Sequence, residues 1–141
     1  MNIEEFREYC LSFKGVHEKM PFPNVPDKYS RDVLCFYVAD KWFCFVNIEI
    51  FDFCCIKCNP DESVELQTEY AGIKPGWHMN KKYWISVYFN QDVSDDKIKE
   101  LSQCRFIIFA GKPDHTYNRY QQNKHRDKGN KRQTVRKNKE A

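Results

Sequence analysis

Between Val33 and Cys58 almost every residue is β-branched, aromatic, aliphatic or cysteine, and the polar interruptions fall at Ala39-Asp40-Lys41 and near Glu49. These residue types fit the half-buried, pleated surface of a sheet. The interruptions divide the stretch into 33–38, 42–47 and 52–58, each of strand length and joined to the next by a turn too short for a parallel crossover. The segment reads as an antiparallel meander, and the rest of the chain must cover it.

The flanking segments supply helices. Asn2 serves as an N-cap, Glu4 and Glu5 complement the first turn, and Ile3, Phe6, Cys10 and Phe13 recur at helical spacing, which predicts a helix over 3–13 ending at Gly15. Pro21, Pro23 and Pro26 and the polar stretch 27–32 then predict a long, proline-stiffened loop. Asn59-Pro60-Asp61-Glu62 combines a cap, a proline at the first helical position and a carboxylate at the third, so a second helix runs over about 60–71 and stops at Gly72. An extended piece over 73–79 is broken at Pro75-Gly76, and a strand over 83–89 sets Ile85, Val87 and Phe89 against Trp84, Ser86 and Tyr88. Ser94 caps a third helix that opens with Asp95 and Asp96 and carries Ile98, Leu101 and Ile108. The expected fold is α+β, an antiparallel sheet of four to five strands with helices packed on it, in the order α-β-β-β-α-(β)-β-α.

Charge separates this body from the C-terminal remainder of the chain. A chain of 141 residues suffices for one core, and apolar periodicity ends near Phe109. Residues 1–110 hold 13 Lys/Arg against 17 Asp/Glu, whereas 111–141 hold 10 against 3 and only Tyr117, Tyr120 and Val135 as bulky apolar side chains. Such a segment buries too little to offset its ordering entropy. We expect a folded domain over 1–111 and a basic disordered tail over 112–141.

The 7 cysteines are odd in number and lie in apolar runs, as reduced, buried thiols do, which predicts a reducing, cytoplasmic setting. No stretch approaches the ~18 apolar residues of a membrane span. Cys55-Ile56-Lys57-Cys58 has C-x-x-C spacing, but on a strand residues three apart point to opposite faces, so the sulfurs diverge. His17, His78, His115 and His125 assemble no ligand cluster by spacing, and neither a phosphate loop nor a nucleophile elbow is present. Neither an enzyme, nor a metal site, nor a cofactor is expected.

The Pro21-Phe22 loop, Lys57-Cys58-Asn59-Pro60-Asp61 leading into the second helix, and the run Pro75-Gly76-Trp77-His78-Met79-Asn80-Lys81-Lys82-Tyr83-Trp84 together resemble the MmcQ/YjbR family over about 3–109. The resemblance implies a frataxin-like (CyaY-like) sheet with helices on it, and DNA binding through a double-wing arrangement of hairpins. Frataxins bind iron at an acidic ridge, but Glu4, Glu5 and Glu8 here read as complements of the helix dipole.

The candidate nucleic-acid-binding residues are Lys41, Trp42, Lys57, Trp77, His78, Asn80, Lys81, Lys82 and Trp84. The run 77–84 interleaves rings that stack on bases, cations that contact phosphate and an amide that hydrogen-bonds a base edge. The same residues also serve structure: Trp84 can cover the sheet and Asn80 can fix a turn. Strand alternation groups Trp42 with Cys44, away from Phe43 and Phe45, and Lys57 with Phe53 and Cys55. If the helices cover one face, the other is an open aromatic surface. Two functions are compatible with these residues: a nucleic-acid-binding module helped by the basic tail, or a protein-interaction or small-ligand module using the aromatic face. The acidic body favours the second, and clustering of Lys41, Lys57, Lys81 and Lys82 on one surface would favour the first.

Overall fold

The computed structural model describes residues 1–109. Its elements are α1 (Ile3–Leu11), β1 (His17–Lys19), α2 (Lys28–Arg31), β2 (Val33–Val38), β3 (Lys41–Asn47), β4 (Phe53–Lys57), α3 (Pro60–Glu69), β5 (Ile73–Pro75), β6 (Trp84–Tyr88) and α4 (Asp95–Phe109). The strands form one sheet of six in the order β1-β2-β3-β4-β6-β5, every neighbouring pair antiparallel. The expected tail over 112–141, and the domain boundary at 111, lie outside the described residues.

The helix starts follow the caps. Asn2 accepts from the Glu5 amide at 2.9 Å, Asn59 from Glu62 at 2.8 Å with Pro60 at the first turn, and Ser94 from Lys97 at 3.1 Å. α1 ends two residues early, where the Ser12 hydroxyl turns back onto the Tyr9 carbonyl. The proline-rich connection holds more order than expected. β1 pairs His17, Glu18 and Lys19 with Tyr37, Phe36 and Cys35, and Asp27 caps the single turn of α2 by accepting from the Tyr29 and Ser30 amides. Three residues have no periodicity of their own, so β1 exists only because β2 offers it an edge.

α1, α3 and α4 cover one face. Phe6, Cys10, Leu66, Ile98 and Leu101 pack there on Leu34, Phe36, Val46, Cys54, Ile56, Ile85 and Val87. The opposite face carries a second buried cluster of Val33, Cys35, Phe45, Cys55 and Trp84. Cys55 and Cys58 thus fall on opposite faces, as alternation requires. The grouping of Trp42 with Cys44 is corrected, because the β2–β3 ladder passes from Phe36↔Cys44 to Tyr37↔Trp42 and leaves Phe43 as an extra residue. This bulge turns Phe43 and Cys44 toward the helices together and sends Trp42 to the Phe45 side. Ala39 and Asp40, both at positive φ (49° and 59°), make the two-residue turn that the right-handed strand twist favours.

Candidate functional site

The face away from α1, α3 and α4 is not the open surface expected from the sequence, since two segments fold over it, one of them carrying the single turn of α2. From one side, 20–31 brings Phe22 to 5.8 Å from the Trp42 ring and Tyr29 onto Phe53 at 6.1 Å, with the Tyr29 hydroxyl donating to Asp52 at 2.7 Å. From the other, 76–83 lays Trp77 against Tyr29 at 4.7 Å, and the Trp77 amide donates to the Ser86 hydroxyl at 3.0 Å. Between the loops lies a cavity of about 210 Å³. Val33, Trp42 and Phe45 of the sheet floor it. Phe22, Val25 and Ser30 line one wall, and Trp77, His78 and Met79 the other.

The second loop is held in shape before any ligand arrives. Its first residue, Gly76, donates to the Trp84 carbonyl at 2.9 Å, and a Cβ there would sit 2.5 Å from that of Trp84, so only glycine allows the approach. His78 adopts a left-handed φ of 52°, a conformation a non-glycine residue takes when its surroundings enforce it. Its ring lies 4.1 Å from that of Trp77. Across the cavity mouth, the Ser30 hydroxyl above all, then the Tyr29 and Ser30 amides and the charge of His78, draw the Asp27 carboxyl below its ordinary range.

The nine candidates divide. Trp42, Trp77 and His78 meet at the cavity. Trp84 does not offer a ring to a base: it is 5% exposed, packs 5.8 Å from Phe45, and lies under the Lys57 ammonium, 6.0 Å from the ring centroid. Asn80 fixes a turn, its side chain accepting from the Lys82 amide at 3.0 Å and its carbonyl from Tyr83 at 3.1 Å. The Lys81 ammonium donates to the Gly76 carbonyl and closes the loop on itself. Lys41 and Lys82 are exposed, Lys41 beside Trp42 at the start of β3. Phe22, Val25, Ser30 and Met79 had no assigned role in the sequence. The signal was there in Phe22, an aromatic held between Pro21 and Pro23, where rigid backbone implies a fixed docking place.

Charge differs across the sheet. The helix side carries Glu4, Glu5 and Glu8 on α1, Asp61, Glu62, Glu65 and Glu69 on α3, and Asp95, Asp96 and Glu100 on α4. Three of its cations are committed: Arg7 to Glu18, Lys97 to Glu100 and Arg105 to the buried Glu62. The opposite side and its loops hold Lys19, Lys57, Lys74, Lys81 and Lys82; Lys19 pairs with Cys35 in register and Lys74 lies 5.5 Å over the Tyr88 ring, whereas Lys41 stands opposite Val38 and so belongs to the helix side, apart from the other candidate lysines. Asp27 and Asp52 on this side are occupied by the hydrogen bonds already given. A face of this kind can bind a planar, apolar group flanked by anionic ones. Among the described residues, no group of three or more His, Cys, Asp or Glu is placed to hold a metal ion, and no helix is long and apolar enough to cross a membrane.

Solved structures with this fold include a Deinococcus radiodurans protein, at 22% identity and TM-score 0.67 over 85% of this chain and 86% of that one. Another, from Pseudomonas syringae, gives 24% and 0.61 over 77% and 98%. An uncharacterised protein of Escherichia coli O157:H7, YbdF, is 46% identical over 46 residues, a stretch covering 33% of this chain and only 38% of that relative. The uncharacterised E. coli K12 protein YjbR is 23% identical over 107 residues, 75% of this chain and 85% of its own. The family model described as YjbR matches residues 11–103, the whole sheet with α2, α3 and most of α4, and the chain belongs to the YjbR family.

Proposed function

We propose that this chain is a non-enzymatic nucleic-acid-binding module that uses the face of its sheet away from α1, α3 and α4. One observation carries the reading: an aromatic-lined cavity and the lysines of the sheet side coincide on that face, while the carboxylates crowd the helices opposite. Lysine contacts to phosphate supply most of the affinity in such proteins through counterion release, and aromatic rings add contact with unstacked bases. The cavity lining is apolar apart from Ser30 and His78, and the Ser30 hydroxyl is given to Asp27. Such a lining holds a ligand by contact rather than moving its protons. The excess positive charge of 112–141 adds a sequence-blind attraction to the same polyanion.

The test is a salt titration of the full chain with single-stranded and duplex DNA and RNA. Log K should fall with log salt, and Lys19→Glu combined with Lys82→Glu should weaken binding and make the slope shallower by roughly 0.9 per lost duplex phosphate contact. No binding at low salt, or a double variant indistinguishable from the parent at every salt concentration, would overturn the reading. A second reading, a site for a small phosphate-free aromatic ligand, is favoured by the enclosure of the cavity between two loops. It predicts binding that salt leaves unchanged.

A further inference from the structure

We infer that the cavity takes one unstacked nucleobase, so that the chain prefers single-stranded to duplex nucleic acid; the inference rests on the nucleic-acid reading and adds what the site recognises. At about 210 Å³ the cavity has room for a one- or two-ring planar group. The rings that bound it come from separate elements: Trp42 from β3 in the floor, Phe22 from one loop and Trp77 from the other. A base within a duplex is sandwiched by its neighbours and offers only its edges, so it reaches such walls only after leaving the stack. The loops are pre-formed, through the Trp77 amide on Ser86 and the Lys81 ammonium on the Gly76 carbonyl, and binding therefore costs little further ordering.

The polar groups at the cavity suit a base edge. Ser30 spends its proton on Asp27, 2.7 Å away, and so presents an oxygen that accepts from an exocyclic amino group or a ring N–H. His78, exposed on the opposite wall, contributes a ring nitrogen. Lys19, in register with Cys35 and through it with Phe45 of the cavity, lies on the same face as the site and can meet the phosphate that a base carries with it, whereas a free apolar molecule would leave that charge unused.

The experiment compares, on the full chain, a labelled mixed-sequence strand of about twelve nucleotides, the abasic strand of the same length and the matched duplex. Residues 112–141 are present in all three measurements, so their charge acts in all of them. The intact strand should bind roughly tenfold more tightly than the abasic one, the worth of a single base stacked on aromatic rings. Phe22→Ala should bring that ratio toward one while leaving the abasic affinity unchanged. Val25→Trp, which fills the cavity without removing a contact, should do the same, and both variants are first checked for an unchanged melting temperature. Equal affinity for intact and abasic strands overturns the inference while leaving charge-driven binding in place. A base-dependent ratio that Val25→Trp does not change puts the base elsewhere and also overturns it. Absence of binding to all three overturns the nucleic-acid reading itself.

Discussion

At the scale of single residues, position on the sheet decides what a side chain can do. Lys57 and Trp84 are partners in register on adjacent strands, which brings the cation over the ring and removes the indole from the set that can meet a ligand. Gly76 is the more sensitive position nearby. Gly76→Ala should destabilise the fold by about 1–3 kcal/mol, because the new Cβ collides with backbone and Cβ of Trp84 and nothing flexible can yield. A urea midpoint equal to the parent's would refute that collision. The buried thiols give a pH signature. Burial pushes Cys35 and Cys55 up to about 12 from the ordinary 9.0, and burial together with the bond to Asp52 raises Tyr29 as well. As pH climbs, the unfolded chain loses these protons first. The stability they confer is whole below about pH 9 and drains away between about 9 and 12. Urea midpoints should accordingly fall between about pH 9 and about pH 11, and a flat profile would show that the thiols ionise alike in both states.

At the scale of elements, the capped helices and the meander were legible because each is specified locally: Asn2, Asn59 and Ser94 mark starts that tertiary contacts only confirm. β1 and α2 were not, since each is too short for periodicity and depends on partners elsewhere in the chain. The bulge at Phe43 was equally invisible, and one extra residue was enough to move Trp42 to the face where it helps build the cavity. Trp42 therefore belongs to the site for a reason that alternation alone gets wrong. The contact of α3 with α4 includes the buried pair of Glu62 and Arg105, with side chains 8% and 6% exposed. Arg105→Met alone should destabilise by about 3–5 kcal/mol by stranding the Glu62 charge, whereas Arg105→Met with Glu62→Leu should recover most of that loss. A double variant no more stable than the single one would mean that the pair's contribution is packing rather than charge.

At the scale of the whole molecule, two asymmetries define the described residues: the three long helices and their carboxylates on one side of the sheet, the covering loops, Trp42, Trp77 and Trp84 and the lysines paired with that face on the other. The net acidity of residues 1–110 concealed the second, because an average over a surface says nothing of its two faces. The buried apolar residues of the described core run from Phe6 to Leu101. Deleting 112–141 should then leave the melting temperature within a degree or two of the parent, while removing much of the salt dependence of nucleic-acid binding. A drop of several degrees would show that this segment supports the core.

Binding on the face away from α1, α3 and α4 is a statement of location, and the most direct measurement of it is amide chemical-shift mapping of the ¹⁵N-labelled full chain titrated with a single-stranded oligonucleotide. The shifted amides of the folded domain should cluster at Phe22, Ser30, Trp42, Trp77, His78 and Met79, with Lys19 and Lys82 shifting less and α1 and α3 unmoved. Shifts confined to 112–141, or centred on the acidic helices, would contradict it.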